Sequence, residues 1–268
     1  MITFAASGSR AELEQLPAHL GSYNLVFHHR LMLAAKGMYL TPRSRILDFG
    51  CGSGRYVYDY RDAGFDAYGF DIASSVELRQ PSDEAYFRFG LSGVPGNVPD
   101  YEVDELSYRI GFGDDSFDFV FSNSVFEHVQ NHDLALREIA RVLRPGGLAI
   151  HTFPARYGLI EPHMFVPLGG VFTSLAWYRL WALLGVRNEY QRGMSARDVA
   201  LANRRYAESG INYVPVPRLL HCARAHFPEA TLAPELWTVG SFRHPLVRIP
   251  AVTWLYSRLD TVVLWLRK

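Results

Sequence analysis

Ser44-Arg45-Ile46-Leu47-Asp48-Phe49-Gly50-Cys51-Gly52-Ser53-Gly54-Arg55 decides how the rest of the chain reads. The apolar pair Ile46-Leu47 fits a buried strand, and Asp48 leads from it into three glycines at alternate positions. A strand that ends in a glycine-rich turn and continues as a helix leaves backbone N–H groups free at the turn. Glycine adopts positive φ readily and lets a ligand approach the main chain. The stretch therefore predicts a nucleotide-binding loop at the carboxyl end of a first β-strand. Its spacing is D-x-G-x-G-x-G. Arg55 stands where the dinucleotide fingerprint G-x-G-x-x-G has its last glycine, and no Gly-Lys-Ser/Thr follows to make a phosphate loop.

Working outward, the 268 residues suit one α/β unit with an insertion, and the 49% apolar content supplies a sizeable core. The 27 basic and 27 acidic residues cancel, which removes the basic surplus that nucleic-acid binding requires. Two cysteines, Cys51 and Cys222, make no disulfide framework, and Cys51 sits inside the glycine loop. No basic segment followed by an apolar core opens the chain, so a cytoplasmic location is the expectation.

Upstream of the loop, apolar spacing predicts helix from Ala11 to Leu40, broken at Pro17 and Gly21. Downstream, Arg55–Ala63 reads as a helix stopped by Gly64, and Asp66–Phe70 as a second strand that ends on Asp71. Asp71 follows Gly50 by 21 residues, the spacing at which a strand-end acid accepts both ribose hydroxyls. Ser74 and Glu77 make a capping box that predicts a further helix. Residues 80–100 read as loop, with a short third strand expected just after them; Asp104, Leu106 and Tyr108 are the candidates there for an adenine edge.

Gly113–Asn123 reads as a turn and a buried strand, and Ser124-Val125-Phe126-Glu127 as a second capping box that starts a helix. A helix over about 133–143, a stop at Arg144-Pro145-Gly146-Gly147 and a fifth strand over Leu148–Phe153 follow. These motifs, from the glycine loop through F-D-F-V-F-S-N, F-E-H-V and R-P-G-G, resemble the class I S-adenosylmethionine-dependent methyltransferase family, small-molecule subgroup, over roughly Arg43 to Pro154. The resemblance implies a Rossmann-like, seven-stranded doubly wound α/β sheet whose last strand is antiparallel. Four segments follow: a helical N-terminal piece at 1–40, the cofactor-binding core at 41–153, a helical, aromatic cap insertion at 154–216, and 217–268 completing the sheet.

Within the cap, helix is expected from Thr173 to Leu184. Val166–Val186 carries a single charge, Arg179, but Pro167, Gly169 and Gly170 favour a buried cap helix over a membrane span; interfacial membrane contact is the alternative. Pro217–Phe227 reads as a helix, Ala230–Trp237 as the sixth strand and Thr261–Leu266 as the seventh.

The resemblance implies S-adenosylmethionine as the cofactor. The main chain of Gly50, Cys51 and Gly52, with Gly54, would face its methionine part, Asp71 its ribose, and Ile72 with Tyr108 its adenine; Asn123 and Asp48 would serve the amino group. His128 and His163 are the candidate general bases for a small-molecule acceptor of sugar or natural-product type, methylated at oxygen. Glu127 is accounted for by its capping box. His128 and His132 have the spacing of a helical metal pair, but Asn131 and Asp133 interrupt the helix and no third ligand is evident, so no metal is expected. The competing classes are a nucleic-acid methyltransferase, disfavoured by neutral charge and the lack of N-P-P-Y/F after strand four, and a non-catalytic cofactor-binding module. Oligomeric state is open at this level.

Overall fold

The computed structural model describes residues 25–72, 75–90, 109–239 and 249–268. It contains a seven-stranded sheet in the order β3-β2-β1-β4-β5-β7-β6. The strands are β1 Arg45–Phe49, β2 Asp66–Asp71, β3 Phe87–Phe89, β4 Phe117–Asn123, β5 Leu143–Pro154, β6 Glu229–Leu232 and β7 Thr261–Arg267. From β3 to β5 neighbours run parallel, while β7 lies antiparallel between β5 and β6. The order reverses between β1 and β4, so their carboxyl ends open a crevice where an α/β sheet binds ligands.

Period-two alternation builds the two faces. Leu47 and Val120 enter one apolar cluster with Leu134, Ile139, Leu219 and Leu264. Ile46, Phe119 and Phe121 enter the other with Met32, Val57, Tyr60, Leu236 and Trp265. The first face is covered by α3 (His132–Val142) and α6 (Val216–His226); the second by α1 (Leu25–Ala35), α2 (Arg55–Asp62) and α7 (Pro234–Val239). Between β5 and α6, helices α4 (Leu175–Leu183) and α5 (Ala196–Ser209) pack around Met164, Val166, Tyr178, Ala200 and Ile211, a small core of their own.

Several expectations need correction. No helix starts at Ser124. That residue has φ 57, residues 124–130 form a turn, and α3 starts at His132 with the Asn131 side chain accepting from Leu134 N–H. The Ser74 box opens no helix either: Ser74 lies outside the described residues and 75–80 is irregular, followed by a 3-10 turn at Pro81–Tyr86. The third strand falls inside the stretch read as loop, because three residues on a sheet edge are too few for periodicity to register. The sixth strand stops at Leu232, since Pro234 begins α7. Helix α5 went unread, and α8 at Pro250–Leu259 lies in a stretch whose helical look was set aside because Arg258 and Asp260 interrupt it. Of the N-terminal segment only Leu25–Ala35 is a described helix; 1–24 lie outside the described residues, as do Asp104, Leu106 and Tyr108. Among the described residues no helix is long and apolar enough to cross a membrane.

Candidate active site

At the carboxyl end of β1 the chain turns through Gly50, Gly52 and Gly54, all at positive φ. The N–H groups of this turn are not free, contrary to expectation. Those of Gly50 and Cys51 donate to the Phe70 carbonyl, and that of Gly52 to Oδ2 of Asp71 at 2.7 Å. What the turn offers is its bare Cα surface. A Cβ on Gly52 would meet nothing within 4 Å. One on Gly50 would collide with Val125, and one on Gly54 with Phe87 and Val76, so packing alone keeps both positions free of a side chain. The buried Cys51 thiol packs toward Gly69 on β2, and burial pushes its pKa far up.

Asp48 lies 2% exposed beneath this turn, and its Oδ2 has no hydrogen-bond partner among the described residues. Burial, reinforced by the nearby Asp71 charge, raises its pKa well above the carboxylate range. A buried, orphaned carboxylate below an uncovered glycine suits a ligand that brings its own positive charge, as the sulfonium and ammonium of S-adenosylmethionine do. Asp71, Ile72, Gly50, Val125 and His128 line a cavity of about 230 Å³ beside the turn. Asn123 ends β4 and lines a larger cavity of about 780 Å³, but its side-chain oxygen already accepts the Thr152 hydroxyl at 2.8 Å. Ser124 lines both cavities.

The 124–130 turn is pinned by the segment after α5. Asn212 donates its N–H to the Glu127 carbonyl and its side-chain amide to Val129 and Gln130, and the His128 ring bonds the Gly210 carbonyl at 2.6 Å. This pinning turns Glu127 inward. Glu127 is 1% exposed and neither carboxylate oxygen has a hydrogen-bond partner among the described residues. Burial pushes its pKa up to about 7.

His163 approaches from the cap, its ring centroid 5.0 Å from that of His128. Its Nδ1 bonds Glu161 Oε1 at 2.7 Å, while Glu161 also accepts from the N–H groups of His163 and Met164 and from the Tyr213 hydroxyl. Burial alone would lower the His163 pKa, but the Glu161 and Glu127 carboxylates outweigh it and hold it above the ordinary value. For His128 burial prevails and lowers it. The two candidate histidines thus meet in one cluster, together with Glu127, expected only as a capping residue, and with Glu161 and Tyr213, which carried no expected role. His132 is elsewhere: it is buried, with Nε2 against the Phe126 carbonyl.

Residues 47–151 match the methyltransferase domain family. A malonyl-[acyl-carrier protein] O-methyltransferase from Methylococcus capsulatus is 34% identical over 119 residues, 42% of this chain and 38% of that protein. An uncharacterized methyltransferase from Mycobacterium marinum is 29% identical over 168 residues, 63% of this chain and 58% of that protein. The alignments therefore span only 38% and 58% of these relatives' lengths. Among solved structures, a Haemonchus contortus phosphoethanolamine N-methyltransferase 2 aligns with 90% of this chain and 52% of that one, at 16% identity and a TM-score of 0.48. With its glycine turn, strand-end Asp71 and matched segment 47–151, the stretch from β1 into β5 is a methyltransferase domain of the class I S-adenosylmethionine-dependent type.

Proposed function

We propose that this chain transfers a methyl group from S-adenosylmethionine to an oxygen of a small-molecule acceptor of natural-product or sugar type. When bound, the cofactor supplies a methyl group on a positively charged sulfur, so no acid is needed for its leaving group. Asp71 would hold the ribose, the bare face of Gly52 would admit the methionine part, and Asp48 would answer its positive charge. With Tyr108 outside the described residues, Ile72 remains the described residue assigned to the adenine.

The observation that carries the reading is the junction at Ser124. The pocket walled by Gly50 and Asp71 meets there a cavity of about 780 Å³, and His128 stands on the pocket's rim. The larger cavity is lined by Phe153, Leu159, Ile160 and Leu255, which suits an acceptor with an apolar body. Holding two reactants in line with water excluded supplies several kcal/mol by itself, on the order of 7–11 at best. A hydroxyl acceptor must also lose its proton, and the Glu127–His128–His163 cluster can receive it. The choice of oxygen is supported by that proton-accepting cluster and by the name of the Methylococcus relative.

The test is a labelled-methyl transfer assay with purified chain and a panel of hydroxyl, carboxyl, amine and thiol acceptors. Transfer to hydroxyl or carboxyl oxygen is the expected outcome. Transfer confined to amines, or to a protein or nucleic acid, would overturn the choice of acceptor. Failure to bind S-adenosylmethionine in calorimetry would overturn the reading as a whole.

A further inference from the structure

Glu127 poses a problem that the transfer reaction does not resolve. Its carboxylate is buried, and among the described residues its two oxygens find no donor. A buried carboxylate without hydrogen bonds costs several kcal/mol unless something positive answers it. The nearest candidates are the two histidine rings, with His128 Nε2 at 3.9 Å and His163 Nε2 at 4.0 Å from Oε1. Both distances exceed a hydrogen bond.

The tautomers are set from the far side of each ring. His128 Nδ1 faces the Gly210 carbonyl at 2.6 Å, and His163 Nδ1 faces Glu161 Oε1 at 2.7 Å. Carbonyl and carboxylate oxygens only accept, so each Nδ1 carries the hydrogen and each neutral ring keeps its lone pair on Nε2. With both rings neutral, two lone pairs and a carboxylate oxygen converge with no proton between them, all three within 4.8 Å of one another. Nδ1–H bonds to a carboxylate and a main-chain carbonyl are the supports that metal-ligating histidines use. Glu161 is itself held by the N–H groups of His163 and Met164 and by Tyr213.

We propose that Glu127, His128 and His163 form a divalent-cation site of the zinc type, whose open position takes the oxygen of the acceptor. Ligand atoms around a tetrahedral ion with bonds of about 2.0–2.2 Å lie roughly 3.4 Å apart, so small side-chain rotations close the observed gaps. Two imidazoles and one carboxylate make a borderline ligand set that suits zinc, with one position left for water or substrate. The histidines are partly exposed, at 36% and 26% of their side chains, whereas Glu127 is not, so an ion reaches the cluster past the two rings. His128 borders the cofactor pocket, and His163 lines a separate cavity of about 530 Å³ that shares Pro162 with the acceptor cavity, so the cluster sits between cofactor and acceptor sides. A cation there lowers the pKa of a bound hydroxyl and takes the part otherwise given to a base. This role rests on the methyl-transfer reading, but the binding of the ion does not.

Cobalt(II) is the probe. Tag-free full-length chain, freed of metal with chelator, is titrated with Co²⁺ and followed by its visible d–d absorption, with bound metal counted by mass spectrometry. The expected result is one Co²⁺ per chain with the intense bands of a four- or five-coordinate site, displaced by Zn²⁺. Glu127→Gln and His163→Ala should each lose the bands and stoichiometric binding. Glu161→Gln should weaken binding about 10- to 100-fold by releasing His163. Should Glu127→Gln fail to fold by circular dichroism, His163→Ala, at a partly exposed position, decides the matter. Absence of stoichiometric Co²⁺ in the wild type, or unchanged binding in the variants, would overturn the site. S-adenosylmethionine affinity measured on the same samples reports separately on the methyl-transfer reading.

Discussion

Gly52 donates its main-chain N–H to Oδ2 of Asp71 at 2.7 Å, which ties the turn after β1 to the end of β2. The residue assigned to the ribose therefore also fastens the loop that admits the rest of the cofactor. The proposed ligand contact and the loop geometry depend on the same carboxylate.

Asp71→Ala should weaken S-adenosylmethionine binding by roughly 30- to 150-fold, the consequence of about 2–3 kcal/mol of unsatisfied hydrogen bonds. Asp71→Asn keeps one carbonyl oxygen to accept from Gly52 and should fall between the two. Isothermal calorimetry measures both, and a wild-type affinity in the alanine variant would refute the ribose assignment.

Gly50 and Gly52 should fail for different reasons. At Gly50 an added Cβ would lie 2.5 Å from Val125, and φ is +82. Gly50→Ala should therefore lower the melting temperature, and Val125→Ala in the same chain should recover part of the loss. Gly52→Val meets open space and carries only the strain of a side chain at φ +49, about 1–2 kcal/mol. It should keep a native circular dichroism spectrum and lose cofactor binding. Normal binding by that variant would move the cofactor off the turn.

Removing the proton-accepting cluster should separate chemistry from binding. His128→Ala and Glu127→Gln should each lower single-turnover methyl transfer by about 10²–10⁴-fold at saturating cofactor, with cofactor affinity little changed. Burial holds the Glu127 pKa near 7, so the ionised form gains population as pH rises through that value. The wild-type rate should rise in the same window, and the limb should vanish in Glu127→Gln. A rate independent of pH from 6 to 8, tested against that value, would mean transfer needs no proton acceptor here.

Two further histidines govern stability rather than catalysis. His29, bonded to the Tyr60 hydroxyl, and His151, bonded to Ser122, are fully buried, and burial lowers both pKa values to about 3. Between an unfolded value near 6.5 and about 3, the unfolded chain binds the protons that these rings refuse. Their contribution is present above pH 6.5 and drains away as pH falls toward 3. Each ring adds up to about 1.4 kcal/mol per pH unit to the slope. Glu127 and Asp48 act in the opposite sense, because their raised values let the folded state hold protons. Urea denaturation at pH 7, 6 and 5 should show His29→Gln losing one ring's share of the slope, and an identical slope would contradict a neutral buried His29.

The sequence by itself determined the elements whose signals are local. Ile46-Leu47 before alternating glycines specified β1 and its turn, the spacing to Asp71 specified the end of β2, and the apolar run Thr261–Leu266 marked a buried strand. Period, glycine placement and chain distance express backbone preferences that neighbouring residues already carry. Asp48 and Asp71 were legible for the same reason. The Glu127–His128–His163 cluster was legible only in fragments. His128 and His163 could be named separately, but their meeting depends on the segment after β5 folding back against the 124–130 turn. Glu127 was misread, because Ser124 and Glu127 have the spacing of a capping box, whereas Asn212 and Gly210 hold that stretch as a turn. Those partners are more than eighty residues downstream in sequence. Tertiary structure alone decided where Glu127 points, because the hydrogen bonds that bury it come from a segment no local pattern connects to it.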